Sequence, residues 1–537
     1  NKKEIIRSLS ALFGDVSKPL RASLIGPKIE KILSKYYDNI SNEQIAQSLI
    51  TQFGSEALLA KNKVFDKIIN GLDENEINKL AQYLNIPNAG SDIYDNVTEL
   101  ISKKYHDFLK YYKQSDYFKI KKEKDSRVVS EEIKLEYEQK LTSLGYPHPY
   151  QNFVKLELEE RIRKSSGKYR ALVVMPTGSG KTRTAVEFMI DFIRSRKKSN
   201  ILWIVESPNL SEQSLQTFKS LWQLRGDRLI KVHRCFSRFV PQINFSNGTN
   251  IIFGAFDKMK GLQNNNDDFF NSIKKSTDLM IIDEAHFSLA ETYEEVISDI
   301  ERNSPDIKKI GLTATPMRSG DTEFYNLKDY FNANLIDFKD EGDNIINDPL
   351  KFLQKKQYLA NLDIEYLSIP EEDILEISKE FNDKVIERIQ NSLKDHKQII
   401  IFAMSKDHAV ALNILLQSKD IKSECIIGDT SAADRINYFN KFKTNINSDA
   451  SEYPKLFELN VLINYNILST GIDLPRVDEL YLLRKFGNET TAMQVLGRAL
   501  RGKKNGGNLK NKVISVKGNK TTINNESELY NLIKNMY

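Results

Sequence analysis

The stretch Ala171-Leu172-Val173-Val174-Met175-Pro176-Thr177-Gly178-Ser179-Gly180-Lys181-Thr182 decides the fold of this chain. Its first five residues form a short apolar run of the kind buried on both faces of a parallel sheet. The two glycines then let the backbone curl so that successive amide groups point inward at a phosphate. A helix is expected from Arg183, and its N-terminus adds the positive end of its dipole to the same spot. Lys181 has the reach for the β- and γ-phosphates of a nucleotide, and the Thr182 hydroxyl is a ligand for Mg²⁺. Met175 stands where the strict form of this loop has its first glycine.

Downstream, the same grammar repeats. Strands are predicted at Ile201–Val205, Asn250–Phe253, Leu279–Ile282 and Lys309–Leu312, each followed by a helical pattern or a loop. A second series comprises Gln398–Ala403, Glu424–Ile427, Val461–Asn464 and Glu479–Leu483. Alternation of this kind predicts an α/β architecture with two parallel sheets covered by helices. Residues 1–145 read instead as helices. Ser41-Asn42-Glu43-Gln44 is a capping-box pattern ahead of Ile45, Leu49 and Phe53, and Lys119–Lys140 reads as a long charged helix. Within that run Glu132-Ile133-Lys134 lacks the strand and Asp of a nuclease motif and reads as solvated helix. The expected units are 1–145, 146–340 and 341–537, with an acidic connection around Asp337–Asp348.

The second chemical element is the strand Leu279–Ile282, which runs into Asp283-Glu284-Ala285-His286. Two carboxylates at the tip of a strand suit a metal-nucleotide site, with Asp283 holding Mg²⁺ and Glu284 accepting a proton from water. Composition narrows the alternatives. Two cysteines, Cys235 and Cys425, exclude a disulfide framework and a cysteine-ligated zinc site. No apolar run approaches the roughly 20 residues of a membrane span, and no apolar signal core opens the chain, so a soluble, cytoplasmic protein is expected. The overall charge of +5 hides an asymmetry: residues 151–250 carry +10 and residues 251–400 carry −12. Such blocks are compatible with one face for a polyanion, or with charges that mix on a solvated surface.

Taken in order, Pro149-Tyr150-Gln151, the loop from Gly178 to Thr182, Asp283-Glu284-Ala285-His286, Thr313-Ala314-Thr315, Ser469-Thr470-Gly471-Ile472-Asp473 and Gln494-Val495-Leu496-Gly497-Arg498-Ala499-Leu500-Arg501 resemble the motifs of superfamily 2 helicases and translocases of the DEAH-box type. Within that superfamily the chain is most similar to the helicase subunits of bacterial restriction systems of types I and III. The resemblance covers residues 145–515 and implies two tandem RecA-like lobes behind an all-helical N-terminal domain, with ATP and Mg²⁺ in the cleft. It implies that Gln151 contacts adenine, and that Thr177, Gly178, Ser179, Gly180, Lys181 and Thr182 hold phosphates. Thr182 and Asp283 then hold the metal, with Glu284 as catalytic base and Gly471 and Asp473 lining the nucleotide from the second lobe. Gln494 is implied beside the attacking water, with Arg498 and Arg501 as arginine fingers. Read alone, Gln494–Arg501 is an amphipathic surface helix with Val495, Leu496 and Leu500 partly buried.

The same resemblance implies coupling through His286, Thr313, Thr315 and Thr470. It implies nucleic-acid contacts at Ser207 and Asn209, in Glu206-Ser207-Pro208-Asn209-Leu210, and at Thr430, in Gly428-Asp429-Thr430. Binding of that kind goes mainly to the phosphodiester backbone. The expected activity is ATP-driven movement along single- or double-stranded DNA in a restriction or antiphage complex. A protein partner such as a nuclease would then be held through the helical domain. An RNA helicase or remodeller is one alternative, and a DNA-binding subunit that ATP merely clamps is the other.

Overall fold

The computed structural model describes residues 24–53, 74–86, 93–101, 127–135, 145–246, 248–314, 322–336, 344–346, 348–395, 397–430, 432–443, 458–465, 477–484 and 495–517, with isolated positions at 10, 69, 72, 107, 338 and 339. Among the described residues four helices come first: α1 (Pro27–Leu33), α2 (Asn42–Phe53), α3 (Glu74–Tyr83) and α4 (Ile93–Ile101). The predicted capping box starts α2. Ser41 N donates to Gln44 Oε1 at 2.8 Å, and Gln44 N donates to Ser41 Oγ at 3.3 Å.

The first sheet holds β1 (Ser130–Ile133), β2 (Tyr169–Val174), β3 (Asn200–Val205), β4 (Ile230–Cys235), β5 (Asn250–Ala255), β6 (Leu279–Asp283), β7 (Lys308–Thr313) and β8 (Leu335–Ile336). Their order is β1-β4-β5-β3-β6-β7-β2-β8, all parallel except β1, which runs antiparallel to β4. The second sheet holds β9 (Asn361–Ser368), β10 (Ile399–Phe402), β11 (Ser423–Ile426), β12 (Val461–Asn464), β13 (Glu479–Leu482) and β14 (Lys510–Lys517). It is parallel throughout, in the order β11-β12-β10-β13-β14-β9. Trp203 of β3 and Trp222, from the helix after it, are fully buried against Phe253 and Phe218 in the core of the first lobe. No helix among the described residues is long and apolar enough to cross a membrane.

Two features depart from the sequence reading. Ser130–Ile133 is a strand in the first sheet, so that sheet begins upstream of the boundary drawn at residue 146, and Glu132-Ile133-Lys134 leaves the expected helix. Charge complementarity explains this: Glu131 lies 2.5 Å from Lys219 Nζ and 2.8 Å from Arg234 Nη1, partners that only the folded lobe supplies. The second feature is where the helical unit sits. Its core residues, from Leu24 to Val97, join one apolar cluster with Phe381, Val385, Leu412 and Leu416 of the second lobe. Polar bonds line the same seam. Lys35 Nζ donates to the carbonyls of Glu376 and Ile377 at 3.1 and 3.2 Å, and Tyr36 Oη to Asp383 Oδ1 at 3.0 Å. Ile377 takes a left-handed conformation (φ 50°), costly for a β-branched residue and held here by the Lys35 ammonium.

Candidate active site

β2, β7 and β6 lie side by side and deliver their C-terminal tips to one edge of the first sheet. Val174 pairs with Thr313 and Leu312 with Asp283, so the loop after β2 and the carboxylates after β6 are separated by a single strand. Met175 N donates to Thr313 O at 3.0 Å, which ties the loop's first residue to the buried Thr313. The Met175 side chain is fully buried in the apolar core. That packing accounts for a large side chain at the position where the strict loop has glycine.

Gly178 and Gly180 both have positive φ, 81° and 85°. At Gly180 a Cβ would lie 2.5 Å from Gln151 Nε2, so glycine is required twice over, by conformation and by space. The next helix, Lys181–Arg194, starts at this residue. Gln151 is buried, and both ends of its amide are engaged: Oε1 accepts from His148 N at 2.9 Å and Nε2 donates to Ser179 O at 2.9 Å. Tyr150 Oη donates to the same carbonyl at 2.7 Å. Tyr150 is thus a loop-positioning residue that the sequence reading left out, although it sits beside Gln151 in the quoted motif.

Lys181 Nζ lies 3.3 Å from Glu284 Oε1, and Thr182 Oγ1 donates to Asp283 Oδ2 at 3.1 Å. Burial pushes the Asp283 carboxyl up to about 6; the Lys181 ammonium opposes the shift and Glu284 adds to it. Glu284 is left-handed (φ 52°), a strained conformation of the sort that clusters at functional sites. His286, on the 3₁₀ turn Ala285–Leu289, places Nδ1 3.6 Å from Glu284 Oε2. Its two ring nitrogens are buried without hydrogen-bond partners, and burial lowers its pKa, so the ring is neutral. Thr177 Oγ1 and Ser179 Oγ are likewise buried and unpartnered. Orphaned hydroxyls in a glycine cradle fit phosphate oxygens, and the Thr182–Asp283 oxygen pair is the hard donor set that suits Mg²⁺.

The second lobe closes directly on this loop. Val495, Leu496, Ala499 and Leu500 are fully buried, so this segment is a lobe-to-lobe seam and not a surface helix. A Cβ on Gly178 would stand 3.3 Å from Leu359 Cδ2 and 3.6 Å from Leu500 Cβ, while one on Gly497 would stand 2.0 Å from Thr177 Cγ2. Arg498 is described by its backbone, on the turn Gly497–Ala499. Arg501 is paired with Leu359 in a β-bridge, and its carbonyl accepts from Asn508 N at 3.2 Å. Thr315, Thr470, Gly471, Asp473 and Gln494 lie outside the described residues. Gly497→Ala drives a methyl into Thr177 and displaces the arginine-bearing turn. Turnover of ATP is expected to fall by about 10²-fold with little change in melting temperature, read by a steady-state assay beside thermal unfolding.

The expected nucleic-acid residues differ among themselves. Ser207 caps the helix Pro208–Arg225, its hydroxyl accepting from Leu210 N at 3.4 Å, and Asn209 is exposed in that helix's first turn. Thr430 is buried, and its hydroxyl accepts from Ile427 N at 2.9 Å to close a turn. The exposed members of that loop are Gly428 and Asp429. A threonine two positions from a glycine gives no sign in the sequence of this inward rotamer.

Comparison with known proteins agrees with this layout. The family "Type III restriction enzyme, res subunit" matches residues 145–318, and "Helicase conserved C-terminal domain" matches residues 379–503. The EcoKI endonuclease subunit of a type I restriction enzyme from Escherichia coli K12 is 24% identical over 408 residues, covering 67% of this chain and 33% of that protein. The ATP-dependent RNA helicase DBP3 of Lodderomyces elongisporus is 24% identical over 309 residues, covering 57% of this chain and 51% of that one. The chain thus spans between a third and about half of the length of these relatives. Among solved structures, the ATP-dependent type ISP restriction-modification enzyme LlaBIII bound to DNA superposes with a TM-score of 0.52 at 14% identity, over 73% of this chain and 29% of that one, a likeness of fold. With both lobes matched in chain order, and the glycine loop and Asp-Glu-Ala-His box meeting at one sheet edge, these matches support a superfamily 2 helicase related to restriction-enzyme subunits.

Proposed function

We propose that this chain is a nucleic-acid-dependent ATPase that moves along DNA. The observation that carries the reading is the contact between Thr177–Gly178 of the first lobe and Gly497–Leu500 of the second, which sets the arginine-bearing turn against the phosphate loop. Thr177, Gly178, Ser179, Gly180, Lys181 and Thr182 would hold the phosphates of ATP, with Gly471 and Asp473 completing the pocket. Thr182 and Asp283 would hold Mg²⁺, which when bound neutralises charge on the phosphoryl group. Glu284 accepts the proton of the attacking water oriented by Gln494, and Arg498 and Arg501 bring positive charge to the γ-phosphoryl side only when the lobes meet. Gln151 already accepts from His148 N and donates to Ser179 O, and its amide keeps a second N–H and a second lone pair for adenine. His286, Thr313, Thr315 and Thr470 link this chemistry to a strand that Ser207, Asn209 and the Thr430 turn would contact.

Support for DNA comes from the type I restriction subunit relationship, and the +10 charge of residues 151–250 suits a nucleic-acid backbone of either kind. A restriction or antiphage assembly with a nuclease-bearing partner follows from the same relationship. The test is steady-state ATP hydrolysis by the purified chain alone and with single-stranded DNA, duplex DNA and RNA. Stimulation of about tenfold or more by DNA is expected, weakening with added salt as phosphate contacts do. Stimulation by RNA alone moves the substrate to RNA. Tight DNA binding with no stimulated hydrolysis would leave a clamp and overturn the motor.

A further inference from the structure

Helix α5 (Pro149–Lys164), which carries Tyr150 and Gln151, begins at His148, and that residue is bonded across the lobe seam. His148 Nε2 lies 2.6 Å from Asn505 Oδ1, on the turn Lys503–Asn505 that follows Arg501. The roles at this bond are fixed from the far side. Asn505 Nδ2 donates to Tyr358 O at 2.8 Å, so its oxygen faces the imidazole, and Nε2–H is the donor. In the neutral ring Nδ1 is then unprotonated, the form suited to the start of a helix whose first amide groups point outward. From His148 the chain of bonds continues inward: His148 N to Gln151 Oε1, then Gln151 Nε2 to the carbonyl of Ser179 in the phosphate loop. The ring also packs on Tyr358 and Tyr150, with centroids 4.4 and 5.8 Å away. Two cations face it, Arg183 from the helix after the phosphate loop and Lys504 from the second lobe. With burial acting first, they hold its pKa below the usual histidine range.

We infer that His148 is a positioning residue: it joins the second-lobe turn at Asn505 to Gln151 and Ser179, so that closure of the lobes sets the shape of the phosphate-binding loop. The inference rests on the ATP-binding reading above and deepens it. Asn505 lies outside the residues assigned to the nucleotide; its side chain reaches the phosphate loop through His148 and, by way of Tyr358, through Tyr150, and comparison with the His148 variants tells the two routes apart. Opening the lobes breaks the 2.6 Å bond and releases the ring, and with it the fixed start of the helix that carries Gln151.

The test is a double-mutant cycle on His148→Ala and Asn505→Ala, with a fluorescent mant-ATP analogue for affinity and steady-state hydrolysis for KM and kcat. Each single variant is expected to weaken nucleotide affinity and raise KM for ATP by about 3–10-fold, with kcat within about twofold. The double variant should be no worse than the weaker single. His148→Gln, which keeps an N–H donor, should recover most of the loss. Asn505→Ala leaves the start of α5 untouched and stays informative if His148→Ala unfolds. Multiplying effects in the double variant, or an unchanged KM in Asn505→Ala, overturns the inference alone. A wild-type chain that neither binds nor hydrolyses nucleotide overturns the functional reading together with it.

Discussion

Lys181→Ala is expected to cut nucleic-acid-stimulated ATP turnover by about 10²–10³-fold, the usual loss when one preorganised charge donor is removed from a reacting group. The loop itself should survive. Its geometry is set by Gly178 and Gly180, by the Met175–Thr313 bond and by the two donors on Ser179 O, none of which involves the lysine side chain. The lysine has a second role toward the carboxylates. Its ammonium is the largest influence opposing the upward shift of Asp283, and it pairs with Glu284 at 3.3 Å. Without it the Asp283 carboxyl is pushed further up, so as pH falls residual turnover should be lost at higher pH than in the wild type. A raised carboxyl pKa favours the protonated folded form. The acid limb therefore moves to higher pH, and a pH–rate profile of the residual activity reads that shift. An unchanged rate in the variant would remove the loop from the reaction altogether.

Arg501→Ala is expected to have the larger effect on kcat, about 10³-fold or more, while nucleotide affinity changes little, because an arginine finger acts on transition-state charge. The backbone argues for a fixed base under this side chain. Leu500 O accepts from Ala360 N at 2.7 Å, Arg501 bridges Leu359, and Asn511 Nδ2 donates to Ala499 O at 2.6 Å. Three bonds to the second sheet and its neighbours hold the turn that Gly497 presses on Thr177. Single-turnover hydrolysis separates the chemical step from binding, and a loss below about tenfold would assign the finger role to Arg498 alone. Arg498→Ala in parallel completes the comparison.

The nine strands expected from compact Val, Ile and Leu runs are present, most within a residue or two of the expected bounds, because strands buried on both faces in parallel sheets need continuous apolar sequence. Of the five strands that escaped notice, four have mixed sequences and the fifth, β8, is only Leu335-Ile336. β4 reads Ile230-Lys231-Val232-His233-Arg234-Cys235, and its buried Arg234 is bound by Glu212 and Glu131. β9 and β14 lie together at one edge of the second sheet, where half-buried positions admit Asp363 and Glu365 and an exposed one Lys512. β1 is fixed by partners about 90 or more positions away: its ladder to β4 and the ion pairs of Glu131 with Lys219 and Arg234. The chemistry was legible where a short segment carries its own geometry, as in the glycine loop and the Asp283–Glu284 tip. It was not legible where geometry comes from distant partners. The His148–Asn505 bond, 357 residues apart in sequence, is a case of this.

The helix Lys406–Gln417 buries Ala409, Val410, Ala411, Leu412, Ile414, Leu415 and Leu416 almost completely, because the second sheet covers one side and α1 and α2 cover the other. A helix apolar all round belongs to an interior. The helical unit is therefore the outer wall of the second lobe, although the chain leaves it to enter the first lobe at β1. Trimming the chain back to the first sheet would strip that wall and expose a continuous oily face, a recipe for aggregation rather than a minimal motor. Mechanically, the unit is a handle fixed to one lobe: a partner that gripped α3 or α4 would be carried by the second lobe, and any opening between the lobes would displace it relative to the first.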